Sequence, residues 1–255
     1  MYRATLDIRS FVLGWALAVG LWIVLSYVAG VPEYLLASPG QVALFFRDNQ
    51  RYLLSAVAIT GSEALVGWIM ALVLGLCFGM AVYSLTWLRR ATLPLLIALQ
   101  TTPIIALAPL ITLWFGFGWL AKVTIAFTVA VFPVILAAYS GLAEANPNYI
   151  YLFKLAGASD LVILWSVRLR CAWSALIPAL KVSIVLSVIG AIVGEFMGGN
   201  NGLGFLIMTA TYGTKSRLLL STVILSAMLG QVLLLALEAV ARPLEKRLGQ
   251  RRSRE

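Results

Sequence analysis

Four ionisable side chains lie within or close to long apolar stretches of this sequence: Glu63, Lys181, Glu195 and Glu238. A charged group inside a lipid bilayer is costly, so such residues pair with one another or line a route for ions or solutes. Glu195 directly precedes a glycine-rich break, and we therefore expect it to belong to a translocation pathway or its gate. Two alternatives remain open: Glu63 is partnered inside a tightly packed bundle, and Glu238 lies near the cytoplasmic interface.

Most other chemistry is excluded by the residue types present. The sequence has no histidine and only two cysteines, Cys77 and Cys171, which excludes imidazole catalysis, serine–histidine triads and histidine-bound metals. The segment Gly213-Thr214-Lys215-Ser216 lacks the spacing of a phosphate-binding loop. We therefore expect no catalytic residue, metal or cofactor on this chain, and any ATP that drives it must bind to another subunit.

The composition places the chain in a lipid bilayer. Of its 255 residues, 62% are hydrophobic and only 11% are charged, and the mean hydropathy is +0.97. A water-soluble domain of this length would need far more polar surface. The net charge of +9 fits basic loops that flank membrane spans, whereas a nucleic-acid interface would need a basic patch on a folded polar domain.

Six apolar stretches are long enough to cross about 30 Å of hydrocarbon. Most Lys and Arg residues then share one side with the C-terminal tail 242–255, which predicts that both termini are cytoplasmic and leaves Lys122 in an outer loop. The sequence thus predicts a single all-α, polytopic membrane domain over residues 1–255. The predicted spans are 11–30, 56–83, a proline-kinked 93–115, 119–142, 178–197 and 218–240.

Small residues in the second predicted span indicate a helix contact. Gly75 and Gly79 are four residues apart and share a face, where the lack of a side chain lets another helix approach closely. The alternative is that these glycines are tolerated on a lipid-facing surface.

Polar residues beside helix breaks mark the candidate pathway. Pro103 frees backbone carbonyls that must be satisfied by neighbouring helices or must face a cavity. A run of glycine and asparagine after Glu195 breaks the chain in the same way. Together with Glu195, the candidate pathway or gate residues are Gln100, Thr101, Thr102, Asn200 and Asn201.

The interval 144–175 is basic and amphipathic, and it predicts two short helices around a glycine. Gly157 can end the first helix, Ser159 can cap the second, and Asp160 then lies favourably in the first turn of that second helix. The second helix has more apolar residues than a solvated loop requires. We expect it to lie at the membrane surface or against another protein.

The same interval resembles the cytoplasmic-loop motif of permease subunits in bacterial ATP-binding-cassette importers. The matching residues are Leu155-Ala156-Gly157-Ala158-Ser159, followed by Val167 and Leu169. Two departures stand out, because Tyr151-Leu152-Phe153 replaces the Glu-Ala-Ala of the motif and Arg170 replaces its proline.

Further segments, in order along the chain, resemble the nitrate/sulfonate/taurine-type importer permeases. Within that group, the segments at 100–103 and 193–196 look most like permeases for thiamine-pyrimidine precursors or riboflavin. The segments that carry the resemblance are 100–103, 108–110, 114–118, 132–133, 189–196 and 202–207.

The resemblance implies a type I importer permease fold in the bacterial inner membrane. It implies a second permease copy or a related permease, two cytoplasmic ATP-binding subunits that hold ATP and Mg²⁺, and an extracytoplasmic binding protein that delivers a small solute. The residues implied to contact the ATP-binding subunit are Leu155, Ala156, Gly157, Ala158, Ser159 and Asp160. Two rival functions are an ion-gradient-driven secondary transporter that uses Glu63 and Glu195, and a membrane scaffold.

Overall fold

The computed structural model describes residues 8–28 and 31–252 of the chain, and no strand occurs among them. Three features that the sequence analysis used lie outside these ranges: Arg3, which is one of the cations counted on the cytoplasmic side, the last two residues of the first predicted span, and residues 253–255 of the basic tail. Within the described ranges, the prediction of an all-α membrane protein is confirmed.

The helices follow one another along the chain. A π-helical turn follows the first of them, and a second π-helical turn joins the eighth to the ninth. In chain order they are α1 (Ile8–Ile23, followed by the π turn Val24–Val28), α2 (Pro39–Asp48), α3 (Gln50–Ser84), α4 (Thr86–Thr101), α5 (Ile104–Phe115), α6 (Trp119–Ala143), α7 (Pro147–Leu155), α8 (Asp160–Ile163, followed by the π turn Leu164–Arg168), α9 (Leu169–Gly198), α10 (Leu203–Tyr212) and α11 (Ser216–Arg252).

Four helical stretches among the described residues are long and apolar enough to cross a membrane, where the sequence predicted six spans. The pair α4 and α5 becomes a fifth if it counts as one span, but the two helices meet at 104°. This bend is far sharper than the predicted kink, because the chain leaves the helix at Thr102 and Pro103. With 16 residues, α1 covers part of the first predicted span. The four stretches are Gln50–Ser84, Trp119–Ala143, Asp160–Gly198 and Ser216–Pro243.

Helix α6 lies at the centre of the bundle, between α3 and α9. Glycines allow the close approach on both sides: a Cβ placed on Gly79 of α3 would lie 2.5 Å from the Cβ of Ala138, and one on Gly190 of α9 would lie 2.7 Å from the Cα of Ala126. Gly75 faces Val134 in the same way. The predicted helix contact is therefore confirmed, and these α3 glycines do not face lipid.

The fifth predicted span starts earlier than expected. The sequence placed its start near Pro178, whereas a continuous helix runs from Asp160 to Gly198 through the π turn. Arg168 is accommodated because its guanidinium donates to the carbonyl of Leu142 at 3.0 Å and lies 4.9 Å from the ring centroid of Tyr83. The expected second short helix is thus the first turn of a long one.

A polar clasp joins the start of α2 to the start of α11. Ser38 caps α2 in a capping box with Gln41. The Gln41 side chain also contacts Glu33, which pairs with Arg217 at 3.1 Å. The hydrogen bond from Gln41, followed by that from Arg217, lowers the pKa of the Glu33 carboxyl below its ordinary value.

Candidate functional site

Four polar side chains from three helices meet inside the apolar bundle. Thr60 and Glu63 lie one turn apart on α3, Lys122 lies in the first turn of α6, and Glu195 lies in the last turn of α9. None is more than 5% exposed. Buried groups of this kind must find partners within the protein, because no water reaches them from lipid. We call these four residues, with Asn201, the polar cluster.

The carboxylate of Glu195 closes the N-terminal end of α10. Its Oε1 accepts a hydrogen bond from the hydroxyl of Thr60 at 2.7 Å, and its Oε2 accepts one from the backbone N–H of Gly204 at 2.6 Å. The Thr60 oxygen in turn accepts the N–H of Leu203 at 2.9 Å. Two of the backbone donors that a helix start leaves free are therefore satisfied by side chains of α3 and α9.

The glycines before and within α10 make room for this carboxylate. Gly202 has a φ of +97°, and a Cβ placed on it would overlap the Glu195 carboxylate. A Cβ on Gly204 would lie 2.8 Å from the Cβ of Glu195. The glycine-rich break thus has a steric reason, since the backbone must pass close to the Glu195 side chain.

Lys122 connects Glu63 on α3 to Asn201 in the loop before α10. Its Nζ lies 3.2 Å from Oε1 of Glu63 and 3.3 Å from Oδ1 of Asn201 in the loop before α10. The sequence counted Lys122 among the outer-loop charges although it falls within the predicted span 119–142, and the loop expectation was wrong: Lys122 lies in the first turn of α6, and its buried side chain faces the bundle with its ion-pair partner. Glu63 therefore has a partner inside the packed bundle, which is the alternative that the sequence left open for it.

The candidate pathway residues separate into two groups. Glu195 and Asn201 belong to the polar cluster, whereas Gln100, Thr101 and Thr102 lie exposed at the bend between α4 and α5. There the hydroxyls of Thr101 and Thr102 donate to the carbonyl of Ala98. Asn200 is also exposed, next to the polar cluster in sequence.

Sequence reasoning missed Thr60 and Lys122 as members of the polar cluster. Thr60 lies one helical turn before Glu63, a spacing that puts both on one face and that could have suggested a polar ridge on α3. Lys122 carried a weaker signal, because a lone lysine after a glycine turn reads as a loop residue.

The segment around Gly157 forms a tight turn between α7 and α8. Gly157 has a φ of +78°, and the N–H groups of Gly157 and Ala158 donate to the carbonyls of Lys154 and Phe153 at 3.0 and 2.9 Å. Ser159 then caps α8 by accepting the N–H of Val162. This is the glycine turn that the sequence predicted.

Large apolar side chains surround this turn and face outwards. Leu155 is 67% exposed, Leu161 68% and Trp165 60%. Ala158 is half-buried against Ile163 and Val167, while the other five residues expected to contact an ATP-binding subunit are exposed. The exposed apolar residues, which we call the coupling surface, are Tyr151, Leu152, Leu155, Leu161, Val162 and Trp165.

Residues 71–250 match the family model described as "Binding-protein-dependent transport system inner membrane component". The chain is 32% identical over 186 residues to the formylaminopyrimidine transport permease protein ThiX of Halalkalibacterium halodurans, covering 72% of this chain and 74% of ThiX. It is 31% identical over 185 residues to the riboflavin transport system permease protein RibX of Chloroflexus aurantiacus, covering 72% and 69%.

The fold also matches a solved importer structure. An inward-facing structure of the MetNI methionine ABC transporter superposes with a TM-score of 0.68 at 20% identity, and the match covers 77% of this chain and 97% of that one. At this identity the likeness shows the fold, which is that of a type I importer permease. On the family match over most of its length, the chain belongs to the binding-protein-dependent transport system inner membrane components, as a multi-pass permease subunit of an ATP-binding-cassette importer for small solutes.

Proposed function

We propose that this chain forms one half of the solute pathway of an importer driven by two cytoplasmic ATP-binding subunits that hold ATP and Mg²⁺. A second permease copy or a related permease supplies the other half, and an extracytoplasmic binding protein delivers the solute. The observation that carries the proposal is the coupling surface: large apolar side chains lie exposed around a glycine turn at the start of the membrane-crossing stretch Asp160–Gly198, and such a patch marks a site for a protein partner or for the membrane surface. The resemblance of this turn to the cytoplasmic-loop motif of importer permeases favours the protein partner.

The orientation of the chain follows from the position of its charges. Lys154, Arg168 and Arg170 lie on or next to the coupling surface, and Arg242 begins the basic C-terminal tail. The positive-inside rule favours a cytoplasmic location for both segments, with both termini on the same side. The coupling surface then faces the compartment that contains ATP.

The solute is proposed to be a vitamin precursor of the thiamine-pyrimidine or riboflavin kind. Two relatives that are over 30% identical are named for formylaminopyrimidine and riboflavin transport, which supports this class. A small anion such as nitrate, a sulfonate or taurine is the second candidate, supported by relatives named for these solutes at lower identity. We propose that the exposed polar residues Gln100, Thr101, Thr102, Asn200 and Asn201 line the route.

The test replaces Gly157 with valine, because a β-branched residue cannot adopt a φ of +78° without strain. Gly230→Val is the matched control: Gly230 lies within α11, has no positive φ, and has no atom within 4 Å of an added Cβ. Each variant is co-purified with candidate ATP-binding subunits of the same organism. ATP hydrolysis and uptake of formylaminopyrimidine, riboflavin and taurine are then measured in liposomes with candidate binding proteins.

We expect Gly157→Val to insert normally but to lose solute uptake and the stimulation of ATP hydrolysis, while Gly230→Val keeps both. Normal coupled uptake by Gly157→Val would contradict the proposed role of this turn. Uptake by the isolated chain on a proton gradient, without ATP, would favour the secondary transporter instead.

A further inference from the structure

We propose that Glu195 and Thr60 are positioning residues that fasten the start of α10 to the α3–α6–α9 bundle, so that α10 and the bundle move together during transport. The claim that Glu195 and Thr60 hold the start of α10 is based on the geometry of the chain alone. The claim that α10 and the bundle move together during transport rests on the proposed function. The proposal assigns to Glu195 a role in holding the start of α10 rather than in binding the solute.

Helix α10 needs such a fastening because it is short and bounded by breaks. It has ten residues, too few to cross the bilayer, and it begins after Gly202, which has a positive φ. It ends at Tyr212 and is followed by Gly213 and by Thr214, which also has a positive φ. A helix that starts inside an apolar bundle has backbone N–H groups that no preceding turn can satisfy.

The polar cluster satisfies these donors from two other helices. Glu195 and Thr60 are fully buried, and between them they accept the N–H groups of Leu203 and Gly204. Hydrogen bonds inside the bundle are stronger than those in water, because water does not compete for the same donors there.

A second connection secures the loop that leads into α10. Asn201 accepts from Lys122 of α6, and Lys122 is itself held by Glu63 of α3. The loop and the helix start are thus fixed to α3, α6 and α9 by separate side chains. A movement of α10 relative to the bundle would have to break several of these buried bonds together.

The same contacts argue against Glu195 as a solute ligand. Each of its carboxylate oxygens accepts a hydrogen bond from within the chain, and the residue has no exposed surface. A solute could reach Glu195 only after the start of α10 had moved away. The exposed neighbours Asn200 and Asn201 are accessible without such a movement.

Thr60 offers a sharp test because it can be changed with little change in shape. Thr60→Val removes the hydroxyl, and Thr60→Ser keeps it. Ser183→Ala is the matched control, since Ser183 on α9 makes a buried 2.7 Å hydrogen bond to the carbonyl of Ala130 on α6, away from α10. Hydrogen exchange of the Leu203 and Gly204 amides is measured by mass spectrometry on the permease in lipid nanodiscs.

We expect Thr60→Val to accelerate exchange at these two amides about ten- to a hundredfold, as loss of a buried hydrogen bond to a helix start would. Thr60→Ser and Ser183→Ala should leave exchange there within about twofold of the unmodified chain. Unchanged exchange in Thr60→Val would overturn the fastening. Equal acceleration in Ser183→Ala would also overturn it, because the effect would then be a general loosening of the bundle.

The transport part is tested on the assembled importer. The Thr60→Val importer should transport fewer solute molecules per ATP hydrolysed than the unmodified importer. The Thr60→Ser importer should have the ratio of the unmodified importer. If exchange accelerates but solute per ATP is unchanged, the common movement of α10 and the bundle is overturned. If the unmodified chain imports nothing with any ATP-binding subunit, the proposed function fails, while hydrogen exchange still decides the fastening.

Discussion

A water-soluble protein keeps its charged groups at the surface and its large apolar side chains inside. The polar cluster and the coupling surface each depart from one half of this rule. The polar cluster buries charged groups, with Glu63 and Lys122 at most 5% exposed, whereas the coupling surface exposes large apolar side chains such as Leu161 and Trp165. Every member of the polar cluster has a hydrogen-bond or ion-pair partner within this chain, and only Oε2 of Glu63 among its buried side-chain oxygens and nitrogens has none. The apolar side chains of the coupling surface have no comparable cover here.

The contrast separates stability from assembly. Residues whose partners lie in the same chain determine whether the bundle holds together, while residues whose partners lie elsewhere determine what the bundle binds. Residues of one type that lie both inside the bundle and beside the coupling surface therefore allow a direct comparison, in which the surroundings change and the side chain does not.

The largest difference is expected between two lysines. Lys122→Ala leaves the Glu63 carboxylate buried without its partner and should lower the free energy of unfolding by about 3–5 kcal/mol. Lys154→Ala removes an exposed 3.8 Å pair with Asp160 and should cost less than about 1 kcal/mol. Thermal unfolding in detergent, followed by tryptophan fluorescence, measures both.

A double variant sharpens the lysine comparison. Glu63→Leu combined with Lys122→Met replaces the buried pair with apolar groups and should recover most of the stability lost in Lys122→Ala, since no unpaired charge remains. If Lys122→Ala and Lys154→Ala lowered the free energy of unfolding equally, the buried ion pair would contribute no more to stability than the exposed one.

Two glycines give the next comparison, because they are required for different reasons. Gly79→Val places a side chain against Ala138 and should destabilise the bundle by about 1–3 kcal/mol through overpacking. Gly157 has open space around it but a φ of +78°, so Gly157→Ala should cost only about 1 kcal/mol.

Asparagine distinguishes the two reasons. It tolerates a positive φ better than alanine does, so Gly157→Asn should be less harmful than Gly157→Ala, whereas Gly79→Asn should be worse than Gly79→Ala. The same unfolding measurement tests this order. A reversal at either glycine would mean that the reason assigned to it is wrong.

Local and compositional features could be predicted from the sequence. Apolar length located α3, α6 and α11, and Gly157 marked a turn where the structure has one. These signals depend on neighbouring residues, so one sequence contains them. The motifs around Gly157 and Glu195 also indicated the family.

Features that depend on distant partners could not be predicted. A lysine near the end of an apolar stretch is assigned to a loop. No residue close to Lys122 in sequence indicates that its side chain will contact Glu63 or an asparagine 79 residues further along the chain. The early start of the helix that becomes α9 has the same cause, because the carbonyl of Leu142 and the ring of Tyr83 accommodate Arg168. Counting charges along the sequence cannot reveal either set of contacts.

The smallest effect on stability is expected at the coupling surface itself. Trp165→Ser removes a side chain that is 60% exposed, so the free energy of unfolding should change by no more than about 0.5 kcal/mol. Exposed aromatic residues are frequent anchors of protein interfaces, and the affinity for the ATP-binding subunit should fall by roughly thirtyfold. Trp114→Ser is the control, because Trp114 is 67% exposed on α5, outside the coupling surface. Binding measured in nanodiscs should weaken for Trp165→Ser alone; an equal loss with Trp114→Ser would mean that the ATP-binding subunit does not recognise the surface around Gly157.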